Sequence, residues 1–341
     1  MKVLFIGGTG NISTAVSHAA IQRGIELTLL TRGSREQSIA GAQTIQCSIQ
    51  DEGSVEGALQ GLHFDAVVDW IAFTPEDIER DIRLFRDRTS QFVFISSASC
   101  YQKPVQRYLI TEETPLENPY WDYSRLKIEC EQRLWRALAD EAFPITIVRP
   151  SLTYGDTIIP LPTNSWYPYA FTVIDRMRNG KKVVIPGDGT SLWVLTHNSD
   201  FAKGILGLLG NPKAIGEAFH ITSDEVLNWN QIYATVASAA GVSAKFVHIA
   251  SDYITKCIPE KLGSLTGDKS NSVVFDNSKI KGAVPGFAAT KSFATGIRET
   301  VASFDADRSR QLIDQTANAQ WDRMIDAYES SLAHARNLFG E

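Results

Sequence analysis

The stretch Val3-Leu4-Phe5-Ile6-Gly7-Gly8-Thr9-Gly10-Asn11-Ile12 decides the fold. Four consecutive apolar residues read as a strand buried on both faces, and the glycines after it read as a tight turn. From Ile12 to Arg23 the apolar residues recur at helical spacing, and Gly24 is a natural stop. Strand, glycine turn and helix in that order cradle a pyrophosphate. Missing side chains let the backbone approach, and the helix N-terminus offers unbonded N–H groups and the positive end of its dipole. A glycine cluster alone is a weak sign, since many strand-to-helix turns hold two. Its place directly after a buried strand makes it a strong one.

Working outward, strands are predicted at Leu27–Leu30, Ala66–Val68 and Phe92–Ile95, with Ile145–Val148 closing the series. Thr74-Pro75-Glu76-Asp77 has a capping residue, a proline at the first helical position and acids facing the dipole, so a helix runs from there to about Arg88. This alternation predicts an α/β chain with a doubly wound parallel sheet of the Rossmann kind. After Pro150 the texture changes. Residues 156–170 form a loop rich in proline and aromatics, a helix runs through Met177, and Gly187-Asp188-Gly189 is a tight turn. Helices are predicted at about 199–209, 229–240 and 291–304, with a long amphipathic stretch from Arg308 to Phe339. The expected division is a dinucleotide-binding domain over 1–155, with later returning segments, and a smaller C-terminal substrate lobe with the last helix over 156–341.

Composition narrows the function. With 43% apolar and 21% charged residues the chain is an ordinary globular one, which excludes disordered and fibrous classes. A formal net charge of −6 repels phosphate backbones, so nucleic acid is not the expected partner. Cys47, Cys100, Cys130 and Cys257 are scattered, with no zinc spacing, and read as free thiols; no metal is expected. No apolar run approaches the ~18 residues of a membrane span. Met1-Lys2 passes straight into the first strand, leaving no room for a signal peptide, and the expected compartment is the cytoplasm.

Tyr123 and Lys127 lie four apart in a helix running to about Leu138, so phenol and ammonium share one face. A nearby cation favours the phenolate and suits tyrosine to general-base work. Ser97 ends the strand Phe92–Ile95 at the carboxyl edge of the sheet, where ligands of open α/β folds bind, and its hydroxyl suits a substrate oxygen. Thr31 stands about twenty residues past the glycines, where an acid would hold the ribose 2′-hydroxyl of NAD. Without that acid, and with Arg32 and Arg35 following, a 2′-phosphate is accommodated by charge-assisted bonds, which favours NADP over NAD weakly. The plainer reading of both arginines is solvated loop charge.

These motifs, with Tyr101 four residues after Ser97, Arg149-Pro150-Ser151-Leu152-Thr153-Tyr154-Gly155, Gly187-Asp188-Gly189 and Asp276-Asn277-Ser278-Lys279, fall in an order that resembles the extended short-chain dehydrogenase/reductase superfamily of the NAD-dependent epimerase/dehydratase type. The second half is similar to a subgroup related to chloroplast stem-loop-binding proteins, suspected RNA binders of this fold. The resemblance implies an NAD(P)-dependent enzyme with Ser97, Tyr123 and Lys127 catalytic, Lys127 also holding the nicotinamide ribose. It implies cofactor contacts at Gly7, Thr9, Gly10, Asn11, Ile12, Ile71, Ala72, Pro150 and Leu152, beside Arg32. Ser13 replaces the usual third glycine and Ser48 an aspartate that meets the adenine. Ala98 and Ser99 stand where sugar dehydratases carry acids, which argues against elimination, and Cys100 reads as a buried thiol. Trp121, Trp166, Tyr167 and Trp193 offer aromatic faces suited to a sugar ring, or pack the lobes. The expected reaction is hydride transfer at a hydroxyl-bearing carbon of a sugar or sugar derivative, as epimerase or as dehydrogenase. The rival is an RNA-binding or scaffold protein that has dropped catalysis. A homodimer is compatible with these residues, which do not fix the oligomeric state.

Overall fold

The computed structural model describes residues 1–33 and 39–340, so the predicted contact of Arg35 lies outside the described residues. The chain forms two compact units. The first comprises Met1–Thr153, Thr196–Asp224 and Phe275–Thr290. The second comprises Tyr154–Leu195, Glu225–Val274 and Lys291–Glu341.

The first unit is built on a seven-stranded sheet whose strands all pair in parallel. In chain order these are β1 (Lys2–Ile6), β2 (Glu26–Thr31), β3 (Gln43–Gln46), β4 (Ala66–Asp69), β5 (Phe92–Ile95), β6 (Ile145–Pro150) and β7 (Glu217–Ile221). Across the sheet they run β7-β6-β5-β4-β1-β2-β3. The predicted series is therefore extended at both edges. Ile145–Val148 does not close it: β7 pairs beyond β6, with Phe219 opposite Val148. β3 lies beyond β2, and its Gln-Thr-Ile-Gln sequence is that of a mostly solvated edge.

Helices α1 (Ser13–Gln22), α2 (Glu52–Ala58), α3 (Pro75–Phe85), α4 (Asp122–Glu141) and α5 (Asn198–Leu208) cover the two faces. Alternate residues of each strand point to opposite sides. Val3, Phe5, Leu27, Leu29, Val68 and Val93 pack with Val16 and Ala20 of α1 and Phe201 and Ile205 of α5. Leu4, Ile6, Leu30, Val67, Phe92 and Phe94 pack with Ile78 and Ile82 of α3 and Cys130 and Leu134 of α4. Thr74 and Asp77 close a reciprocal capping box at the start of α3, as its sequence requires. The helix stops at Phe85, three residues short of the prediction.

A buried ion pair fixes α4 to the sheet. Arg149 on β6 donates from Nε and Nη2 to the Glu131 carboxylate of α4, at 3.0 and 2.6 Å. Glu131 also accepts the hydroxyl of Ser96, just past β5. Arg149 Nη1 donates to the Tyr101 hydroxyl at 3.2 Å, and that hydroxyl lies 3.1 Å from His220 Nδ1 on β7. Every charge here has a partner, as a buried network demands.

In the second unit, Lys182–Pro186 pairs in parallel with Lys245–Ile249. Helices lie at Thr172–Arg178, Trp229–Ala239 and Phe293–Ala306. The terminal amphipathic stretch divides. A short turn at Arg308–Arg310 precedes the helix Gln315–Leu338, which Asp314 caps through the N–H of Ala317. Trp321, Met324 and Ile325 of that helix join Val184, Ile249 and Ile254 in one core. Residues 156–170 carry no helix or strand, as predicted. Among the described residues no helix is long and apolar enough to cross a membrane, and no three potential metal ligands cluster.

Glu131→Ala strands the buried Arg149 guanidinium. It should lower stability by about 3–5 kcal/mol, read as an earlier midpoint in denaturant unfolding followed by circular dichroism.

Candidate active site

A cleft of about 410 Å³ opens at the carboxyl ends of β1 to β4. The strand order reverses between β1 and β4, and this is where open α/β sheets hold ligands. Gly7, Gly8, Thr9, Gly10 and Ser13 line one side, Thr31, Arg32, Cys47 and Ser48 another, and Trp70, Ile71 and Phe73 a third. Gly7 and Gly8 have φ of +96° and +106°, and a β-carbon on Gly8 would stand 2.7 Å from Leu29 Cδ2. Ile12, the residue before α1, makes no side-chain cap to the helix, and the Thr14 N–H bonds Gly10 O of the turn at 3.0 Å. Ser13 does more than allow close packing: its hydroxyl accepts the Gly10 N–H at 2.8 Å. These residues fit a dinucleotide: a side-chain-free cradle and a helix N-terminus for the pyrophosphate, and room beyond it toward Arg32.

The other predicted cofactor residues do not line the cleft. Asn11 Nδ2 donates to Thr153 O at 3.0 Å, and Asn11 O accepts from Asn198 Nδ2, so Asn11 ties the turn to the segment after β6 and to α5. Ile12 packs against the α1 face of the core. Ala72 and Pro150 are buried, and Leu152 is half-buried.

Lys127 is 2% exposed. Its ammonium donates to Ala72 O at 2.6 Å and Ile95 O at 2.8 Å, and stands 4.5 Å over the Phe73 ring and 4.6 Å from that of Phe94. Burial pulls its pKa down to about 8. Tyr123 is half-buried, with its ring 6.3 Å from Phe73 and 4.9 Å from Trp121. Thus Phe73, whose side chain also lines the cleft, touches both members of the Tyr/Lys pair.

Ser97 is tied to the same helix through hydroxyls. Ser124, next to Tyr123, donates to Ser99 Oγ at 2.7 Å, and Ser99 Oγ lies 2.9 Å from Ser97 Oγ. Ser97 accepts the Ser99 N–H as well, at 3.2 Å. A hydroxyl has two acceptor positions and one donor. After the bonds to the Ser99 N–H and hydroxyl, one position of Ser97 is left over, a donor or an acceptor according to which hydroxyl donates. The Cys100 thiol is buried, and burial pushes its pKa up to about 12, in keeping with an inert group.

The aromatic set divides. Trp121 stands beside Tyr123 in the first unit. Trp166 and Tyr167 are 52% and 65% exposed on the 156–170 loop of the second unit. Trp193 is 2% exposed and stacked on Trp229 at 5.4 Å, a packing position that offers no face to a substrate. Sequence reasoning missed Phe73, Trp70 and Ser99. The first two follow a buried strand at its carboxyl end, which is a usable signal.

The model of the NAD dependent epimerase/dehydratase family matches residues 3–222. The chain belongs to that family. A chloroplast stem-loop binding protein of 41 kDa from Arabidopsis thaliana is 26% identical over 257 residues, 70% of this chain and 63% of the plant protein. The 2′-dehydrokanamycin reductase of Streptomyces kanamyceticus is 24% identical over 246 residues, 71% of this chain and 67% of the reductase. The family member therefore spans about two thirds of these curated relatives. Among solved structures, the UDP-glucose 4-epimerase of Thermotoga maritima superposes with a TM-score of 0.71 at 20% identity, covering 90% of this chain and 99% of its own, a likeness of fold.

Gly8→Ala forces a side chain into φ +106° and against Leu29. The variant should bind NAD⁺ and NADP⁺ at least tenfold more weakly and melt earlier, since such backbone strain costs about 1–3 kcal/mol. Calorimetric titration and thermal unfolding read the two effects.

Proposed function

We propose that this enzyme transfers hydride at a hydroxyl-bearing carbon of a sugar or sugar derivative, with Tyr123 as proton acceptor. One observation carries the reading. The buried ammonium of Lys127 bridges Ala72 O, under the cofactor cleft, and Ile95 O, under Ser97, on the helix that presents Tyr123. A positive charge held there lowers the cost of the Tyr123 phenolate. Ser97 bonds the substrate oxygen through its hydroxyl and fixes it beside the base. When bound, the nicotinamide supplies the hydride acceptor. Gly7, Gly8, Gly10 and the first turn of α1 would hold its pyrophosphate, and Lys127 its ribose. Trp121, beside Tyr123, supplies a ring face for the sugar. Ala98 and Ser99 offer no acid for elimination, which favours epimerization or net oxidation and reduction over dehydration. The relative named for reducing 2′-dehydrokanamycin supports a sugar derivative as substrate.

NADP is the favoured cofactor. Thr31 and Arg32 line the cleft past β2, where an acid would repel a 2′-phosphate. Arg32 is exposed, so its contribution is about tenfold in affinity and leaves NAD usable. A second reading, recognition of an RNA stem-loop, is favoured by the plant relative's name. The net charge of −6 opposes it; retention of the chain on a stem-loop RNA at physiological salt would establish it.

A screen of sugars and sugar derivatives for cofactor reduction, with mass analysis for redox-neutral products, identifies the reaction. With any substrate so found, Tyr123→Phe should cut turnover by ~10²-fold or more and leave cofactor affinity unchanged. Wild-type turnover in that variant sinks the mechanism. In parallel, Arg32→Ala should lose about tenfold in NADP⁺ affinity and none in NAD⁺ affinity. A wild type that binds NAD⁺ more tightly reverses the cofactor assignment.

A further inference from the structure

The turn joining β4 to α3 is held from within by a pair of acids that the proposed chemistry does not use. Asp69 ends β4 and is fully buried; its Oδ1 accepts the N–H groups of Ile71 and Ala72 at 2.5 and 2.8 Å. Asp81, on α3, is fully buried too; its Oδ1 accepts Arg80 Nε and Nη2 at 2.9 and 2.8 Å. The second oxygens, Asp69 Oδ2 and Asp81 Oδ2, are shielded from solvent and receive no N–H or hydroxyl donor. One guanidinium spans the two acids: Arg80 Nη2 lies 2.8 Å from Asp81 Oδ1. Arg80 reaches Asp69 Oδ2 at only 3.8 Å, and its Nη1 is taken by Asp77 at 2.8 Å.

Ionised carboxylates are acceptors only, so two buried oxygens that no donor reaches, on acids sharing one guanidinium, call for a proton. We propose that Asp69 and Asp81 share one proton at neutral pH, Asp81 donating and Asp69 accepting, and that this acid pair fixes the Ile71–Ala72 turn under the cofactor cleft. Burial, and then the charge of Asp69, push the Asp81 carboxyl well above the usual range, which agrees. The consequence reaches the site in two bonds. Asp69 holds the Ala72 N–H, and the carbonyl of the same residue anchors Lys127. Asp81 is thus a positioning residue, acting through Asp69 and Ala72.

The charged groups facing the pair are few. Arg80 and Asp77 come from α3, with Arg83 further along it and paired to Glu52 of α2. From α4 come Lys127, bound to its two carbonyls, and Cys130, whose thiol burial pushes up to about 12 and so keeps neutral. Of these cations, Arg80 is the one in contact with the pair, and it is shared with Asp77.

An acid with its pKa raised on folding keeps a proton that the unfolded chain has lost, so the folding constant falls with rising pH. The stabilisation is complete below about pH 4 and drops about tenfold in that constant per pH unit above it, up to the folded pKa. Asp81→Asn donates the same bond with no proton to lose. Measured by denaturant unfolding on the full chain, it should gain about tenfold per pH unit on wild type from pH 5 to 7; a gap constant with pH overturns the proposal. Independently of any variant, wild type labelled with carboxyl-¹³C aspartate should show a carboxylic-acid C=O stretch at pH 7 in the infrared. Its absence overturns the shared proton. For the turn, NADP⁺ is the probe. Asp81→Asn should bind it within about twofold of wild type, and Asp81→Leu, which cannot donate, about tenfold more weakly. Equal binding by a folded Asp81→Leu refutes the positioning role. The binding arm rests on the reading of the cleft given above: a wild type that binds neither NADP⁺ nor NAD⁺ refutes that reading, while the infrared and unfolding results still decide the proton.

Discussion

The burial of the Lys127 ammonium is the constraint on which the rest of the first unit turns. Taking a cation out of water costs several kcal/mol unless the protein replaces its hydration. Here the replacement comes from two main-chain carbonyls on neighbouring segments, Ala72 O past β4 and Ile95 O at the end of β5, and from the rings of Phe73 and Phe94. Carbonyl oxygens move only with their backbone. The lysine therefore sets the spacing between the β4 turn, the end of β5 and α4 at one stroke, and the residues proposed to react are spaced with it.

Other contacts keep those three segments from drifting. Arg149 and Glu131 join α4 to β6, and Ser96 extends the same network to β5. The hydroxyls of Ser99 and Ser124 repeat the connection one layer nearer the cleft. Each link crosses from helix to sheet, so the height of α4 over the strands is determined several times. A site built this way is rigid because its supports are buried and fully bonded.

How much of this could be read from the residues depends on how local the signal is. The β1 turn and α1 announce themselves because one apolar run, one glycine turn and one helical period are adjacent. The start of α3 is legible for the same reason, since Thr74, Pro75 and Asp77 write a cap within four positions. β3 was hidden because a polar edge strand with only Ile45 half-buried has no apolar run to detect. β7 was hidden because its partner β6 is far back in the chain, and pairing at that distance leaves no mark on either segment. In the candidate site, the spacing of Tyr123 and Lys127 and the strand-end place of Ser97 were visible. The supports of Lys127 were not, for carbonyl oxygens belong to every residue and carry no letter in the sequence. The hydroxyl link from Ser97 through Ser99 to Ser124 was equally invisible, because only tertiary structure brings Ser124 to Ser99.

The path of the chain has its own consequence for biosynthesis. The sheet is completed by β7, and the face that α1 covers also needs α5, yet both come from residues 196–224. A nascent chain emerging N-terminus first exposes β6 as a bare edge, with Phe201 and Ile205 not yet made to cover Val93 and Val148. At ~5–20 residues per second of translation, the interval from β6 to β7 lasts several seconds. During that time an unpaired parallel strand and an open apolar face are available to other chains. Heterologous expression should therefore be governed less by the stability of the finished protein than by what shields that half-built sheet, which slower translation prolongs and a chaperone that binds open strand edges relieves.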